Sequence, residues 1–176
     1  MKVKELREYI IPFLGLKNGV HHFNYEIDTT FFTHFEASLV HESKLFADVT
    51  LDKKERLFIL NFDISGTIKA ECDRCGQEFD MPIHGNHSIF VKIGDKREED
   101  ENNEEVIWID EVESSLNIAE MLYEFIHLSI PIKKNHLDNP DGTAGCDPEI
   151  LKHIGEHQEA NNIDPRWEIL NKLNKN

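Results

Sequence analysis

The stretch Cys72-Asp73-Arg74-Cys75-Gly76 carries the residue types and spacing in this 176-residue chain that could do chemistry. Two thiols three positions apart, followed by glycine, let the chain turn tightly enough for both sulfurs to face one ion. Gly76 can take positive φ at no steric cost, which turns backbone N–H groups toward the sulfurs. Arg74 adds positive charge that favours the thiolate forms. Three chemistries are open to the pair: ligation of a structural metal, a plain reduced turn, or thiol redox. A thioredoxin-like redox pair sits at a helix N-terminus after a strand, whereas the surroundings of Cys72 and Cys75 read as the tip of a hairpin.

One C-x-x-C supplies half of a four-ligand zinc site. Cys146 is the remaining thiol, and His136 lies ten residues before it in the same turn-rich segment, so one loop could supply both. The candidate ligand set is therefore Cys72, Cys75, Cys146 and His136, with a structural zinc ion as the candidate cofactor. His153 competes for the fourth position, and His84 after it. His21, His22 and His34 show no ligand spacing. His87 falls on the apolar parity of its strand and reads as a hydrogen-bonded core histidine.

The elements that must position these residues are legible around them. Phe58, Leu60, Phe62, Ile64, Ile68 and Ala70 share one parity, and Asn61, Asp63, Ser65, Thr67 and Lys69 the other. That is a strand with one buried and one wet face. Met81, Ile83, Ile89, Val91 and Ile93 repeat the pattern against His84, Asn86, Ser88 and Lys92, so a hairpin with the thiols at its tip follows. Further on, Asn117-Ile118-Ala119-Glu120 matches a capping box. Ile118, Leu122, Phe125, Ile126 and Ser129 then share one helical face, and Pro131 ends the helix. Asn135 to Pro148 is rich in turn residues, and Glu149 to Ala160 reads as a polar helix. Asp164-Pro165-Arg166-Trp167 reads as a cap with proline at the first helical position. The helix it starts would present Trp167, Leu170 and Leu173 on one side.

Upstream, Tyr9 to Leu16 reads as a strand containing Pro12, and Asn18-Gly19 as a hairpin turn that pairs it with Val20 to Ile27. Asp28-Thr29-Thr30 looks like a helix cap. Ser38 to Leu51 reads as a further strand region, and Asp52 to Glu55 as a charged turn. Together these elements predict an α+β fold, a mainly antiparallel sheet or small barrel with one principal helix at about 117–129 and a short C-terminal helix. The expected division is an α+β domain over 1–134, with an acidic disordered loop at about 95–105, and a turn-rich extension over 135–176.

Composition narrows the function classes. The net charge is −15, and Asp95 to Glu113 holds ten acidic residues against Lys96 and Arg97. So acidic a chain is a poor non-specific binder of nucleic acid, which needs clustered Lys and Arg to neutralise phosphates. It suits a basic partner, although acidity also serves solubility alone. No apolar run approaches the roughly 20 residues that span a bilayer. The N-terminus, MKVKELREYI, lacks the apolar core of a signal peptide. Three cysteines, an odd number, point to a reducing compartment. The expectation is a cytoplasmic protein with no membrane partner and no small-molecule substrate. There is no G-x-S-x-G, no H-E-x-x-H and no P-loop, and the densest carboxylates fall where catalytic geometry could not be held. Catalysis is not expected.

The order of the motifs resembles a known family. Cys72-Asp73-Arg74-Cys75 follows a sheet-rich half; an acidic insertion comes next, then Leu-Asn-Ile-Ala-Glu-Met-Leu-Tyr-Glu from Leu116. Leu-Ser-Ile-Pro-Ile, Cys146 and Asp164-Pro165-Arg166-Trp167 complete the series. From about residue 56 onward this is similar to the bacterial YceD-like family of large-ribosomal-RNA-subunit accumulation proteins, also present in plastids. The resemblance implies a cytoplasmic, non-enzymatic factor that supports large-subunit rRNA processing or accumulation. It implies as partner a large-subunit precursor, met through rRNA, a basic ribosomal protein or both. Two positions depart from the family: Gly76 stands where many members carry Leu, and Cys146 alone follows Pro131 where many members have several cysteines. The net charge favours a basic ribosomal protein over bare RNA; Arg74, Lys133, Lys134 and Arg166 are the cations available for local RNA contacts. Two other readings compete: a thiol or zinc enzyme using Cys72 and Cys75, and an acidic interaction module unrelated to ribosomes.

Overall fold

A computed structural model describes residues 6–36, 38–94 and 106–158, with side chains through 154. In chain order the elements are β1 (Ile10–Ile11), β2 (Gly19–Asp28), α1 (Thr29–Phe32), β3 (Ser43–Lys53), β4 (Leu57–Glu71), β5 (Glu78–Ile93), β6 (Val106–Ile109), β7 (Leu116–Asn117), α2 (Ala119–Leu128) and α3 (Pro148–Gln158). Five strands form an open sheet in the order β2-β3-β4-β5-β6, and β1 pairs with β7 in a second, two-stranded one. The architecture is mostly sheet. Its main ladder is antiparallel except for β6, which runs parallel to β5. Of the two expected architectures, an open sheet is the one formed.

The β4–β5 hairpin follows its hydrophobic parity. Phe58 pairs with Val91, Leu60 with Ile89 and Ile68 with Met81, and these six side chains are all buried. On the neighbouring strand Leu45, Ala47, Val49 and Leu51 extend the same face. Each fully buried Leu, Ile or Phe contributes about 1.5–3 kcal/mol, so this one face supplies much of the stability. Ile118 at the N-cap of α2, with Leu122 and Ile126 inside the helix, covers it, all three fully buried. Phe125 of the same helix packs edge-on against Phe62 and stacks on His87 at 4.7 Å.

His87 is thus the core-edge histidine its parity predicts. Its Nε2 lies 2.9 Å from Ser129 Oγ, and Ser129 Oγ donates to the Phe125 carbonyl. The bonds are satisfied when His87 carries its proton on Nε2. Asn117 Oδ1 accepts from the Ala119 amide at 2.9 Å and starts α2, while the reciprocal bond expected from Glu120 is not formed. Asp28 caps α1 through the Thr30 amide. Helices α2 and α3 are of similar length.

The N-terminal hairpin is a correction. Only Ile10–Ile11 is strand there, and it pairs with Leu116–Asn117; β2 pairs with β3 over its whole length. Pro12 has no N–H with which to continue a ladder, and Phe13–Gly15 closes a 3-10 turn after it. Lys53 Nζ then donates to the carbonyls of Phe13 and Leu16, at 2.8 and 2.7 Å, and pins this segment across the end of β3. The acidic run at 95–105 and the segment from Asp164 lie outside the described residues.

Candidate metal centre

The hairpin tip is a thiol knuckle. The Cys72 amide donates to the Gln77 carbonyl at 2.9 Å, and the Gly76 amide to the Cys72 carbonyl at 2.8 Å. Gly76 sits at φ 72°, the left-handed conformation anticipated for it. A second segment docks on the knuckle through a two-way clamp: the Asp73 amide donates to the Lys134 carbonyl, and the Lys134 amide to Asp73 Oδ2, both at 2.7 Å. Two residues after Lys134, the His136 ring lies on Phe79 with centroids 4.5 Å apart. Arg74 Nη1 reaches Asp138 Oδ1 at 3.3 Å and ties the loop down again.

The loop then returns. Asn139 and Thr143 close it by a 2.8 Å backbone bond, and Gly145 passes so near Leu137 that a Cβ there would meet the Leu137 carbonyl oxygen at 2.0 Å. Only glycine allows that crossing. It delivers Cys146 to the knuckle, one residue before Asp147 accepts from the Glu149 amide and begins α3.

The outcome is a cluster of Cys72, Cys75, His136 and Cys146 whose donor atoms all lie within 4.8 Å of one another. Cys72 Sγ and Cys146 Sγ are 3.7 Å apart, Cys75 Sγ and His136 Nδ1 3.5 Å, and Cys146 Sγ and His136 Nδ1 3.6 Å. A tetrahedral zinc ion, with Zn–S about 2.3 Å and Zn–N about 2.0–2.1 Å, separates two sulfurs by about 3.8 Å and sulfur from nitrogen by about 3.6 Å. The residues present fit the ion. Four protein donors complete the tetrahedron, the composition of structural sites; a catalytic zinc keeps one position open.

Electrostatics favour ligation. Burial opposes ionisation of Cys72, but the backbone N–H groups of His136, Cys75 and Arg74 point at its sulfur and bring its pKa down to about 6. Burial and then the adjacent thiols of Cys72 and Cys75 push Cys146 up to about 11. Three sulfurs this close cannot all ionise without a cation among them.

His84 and His153, the competing ligands, lie outside the cluster; His84 instead approaches Asp63 and Asn86. The positioning residues Asp73, Phe79 and Gly145 escaped sequence reasoning. Gly145 alone left a signal, a glycine immediately before a candidate ligand.

The family model for the large ribosomal RNA subunit accumulation protein YceD matches residues 60–174. The chain belongs to the YceD family. Neither the curated proteins nor the solved structures compared with it gave a match. The YceD match begins within β4, so it takes in the knuckle, α2 and the loop carrying His136 and Cys146. It leaves β1, β2, α1 and β3 outside.

Proposed function

We propose that this chain is a non-enzymatic assembly factor that supports accumulation of large-subunit rRNA. In this reading a zinc ion on Cys72, Cys75, His136 and Cys146 is a structural clip. It joins the tip of the β4–β5 hairpin to the loop ahead of α3 and fixes the surface they share. The observation that carries the reading is the four-donor cluster inside the stretch that matches the YceD family. A closed ligand set stiffens a scaffold and offers no position to a substrate.

The partner is a cytoplasmic large-subunit precursor, contacted through a basic ribosomal protein. With a net charge of −15, association with a basic surface is steered favourably, whereas bare phosphates are repelled. No described helix is long and apolar enough to cross a membrane.

Gradient sedimentation of cell extracts tests this reading. The protein is expected to travel with large-subunit precursors, and its depletion to lower large-subunit rRNA relative to small-subunit rRNA. Unchanged rRNA on depletion would overturn the role. Recovery of naked RNA alone, lost steeply as salt rises, would overturn the choice of a protein partner.

A further inference from the structure

The two edges of the five-stranded sheet are treated very differently. The β6 edge is four residues long, which blunts it as natural sheets do. The β2 edge runs for ten residues, Gly19–Asp28, paired to β3 in unbroken register with no bulge, no proline and no lysine. Among the described residues no other strand pairs with its outer side, and no turn or loop backbone group bonds to its backbone. A long edge that the described residues leave unpaired is a template for another strand.

We propose that β2 pairs antiparallel with β2 of a second copy, joining two sheets into one of ten strands about a twofold axis through Asn24. The self-complementarity of the strand favours this occupant. With Asn24 facing Asn24, the wet face sets His22 opposite Glu26 and Val20 opposite Asp28, each twice. The core-side face sets Phe23 opposite Tyr25 twice. Aromatic cross-strand pairs are the stabilising kind, and an imidazole N–H opposite a carboxylate can donate to it. Phe23 and Tyr25 are half-buried at this edge, and Val20 is 58% exposed, so pairing would cover apolar surface that one copy leaves wet.

Charge favours this edge. Asp110, Glu111 and Glu113 follow β6 on the far side, about 19 Å away across four strand spacings. The β2 strand itself carries two carboxylates, Glu26 and Asp28. A second copy at β2 thus keeps the two acidic runs at opposite ends of the joined sheet.

Sedimentation equilibrium of the full chain over a range of concentrations is the test. A reversible monomer–dimer equilibrium is expected. His22→Glu, at an exposed position bonded only to Thr50 Oγ1 (3.2 Å), places like charges opposite Glu26 twice and should weaken association about tenfold. The double variant His22→Glu with Glu26→Lys should restore it, which loss of folding could not do. A wild-type chain that stays monomeric at every concentration overturns the proposal, as does a dimer indifferent to both variants. So does a monomer whose β2 amides gain exchange protection only when octalysine peptide is added, since that assigns the edge to a basic segment.

Discussion

Cys72 Sγ and Cys146 Sγ lie 3.7 Å apart although 74 residues separate them. Among the described residues no disulfide holds that distance. It is set by the Asp73–Lys134 clamp on one side and the Gly145 crossing on the other, which together fold residues 134–146 back over the hairpin tip.

The clamp should therefore matter to metal affinity although it supplies no ligand. Asp73→Ala removes the carboxylate that accepts from the Lys134 amide and leaves all four donors in place. Zinc affinity is expected to fall about tenfold or more, the usual effect of losing a group that orients ligands. Competition against a chromophoric chelator reads it directly; unchanged affinity would show that the loop docks without the clamp.

Gly145→Ala tests the crossing. The added methyl meets the Leu137 carbonyl oxygen at 2.0 Å, so the backbone must part and Cys146 must leave the cluster. Zinc binding should weaken strongly while the thermal transition of the metal-free sheet stays where it is. Equal loss of both would mean that loop and sheet fold as one unit.

The core behaves differently. Leu122 is fully buried between α2 and the sheet, and Leu122→Ala is expected to cost about 3 kcal/mol of unfolding free energy. Urea unfolding measures this. A cost below about 1 kcal/mol would mean that α2 packs far more loosely than the buried face of Ile118, Leu122 and Ile126 indicates.

Acid should act through His87. Burial holds its imidazole pKa below the ordinary histidine value, so the unfolded chain takes up a proton first as pH falls. The stability held by neutral His87 is whole above the unfolded pKa, about 6.5. It is lost as pH falls from there through the depressed folded value. Unfolding free energy should drop on acidification through that window, and His87→Gln should flatten the drop. Identical pH slopes in the two proteins would contradict it.

Much of this could be read from residues alone, for identifiable reasons. The alternation from Phe58 to Ile68 and from Met81 to Val91 has one solution on a sheet, and Cys72 and Cys75 stand where that hairpin must turn. The helix face of Ile118, Leu122 and Ile126 was equally plain. The pairing of Ile10–Ile11 with Leu116–Asn117 was not, because two short segments so distant in sequence leave no periodicity. Asn18-Gly19 misled for a related reason: a local turn preference was overridden by Pro12 and by Lys53 bonding to Phe13 and Leu16. At the metal centre the donor types and the loop were legible. His136 was favoured there by its place ten residues before Cys146, whereas the backbone clamp that docks its loop is encoded by no spacing rule.

The most direct test of the centre is elemental analysis of the full chain purified without an affinity histidine tag, alongside Cys75→Ser and Cys146→Ser. One zinc per wild-type chain, lost from both variants while the sheet's circular dichroism persists, is the predicted result. A wild-type chain that holds no zinc after equilibration with a zinc salt, its three thiols fully reduced, would contradict it.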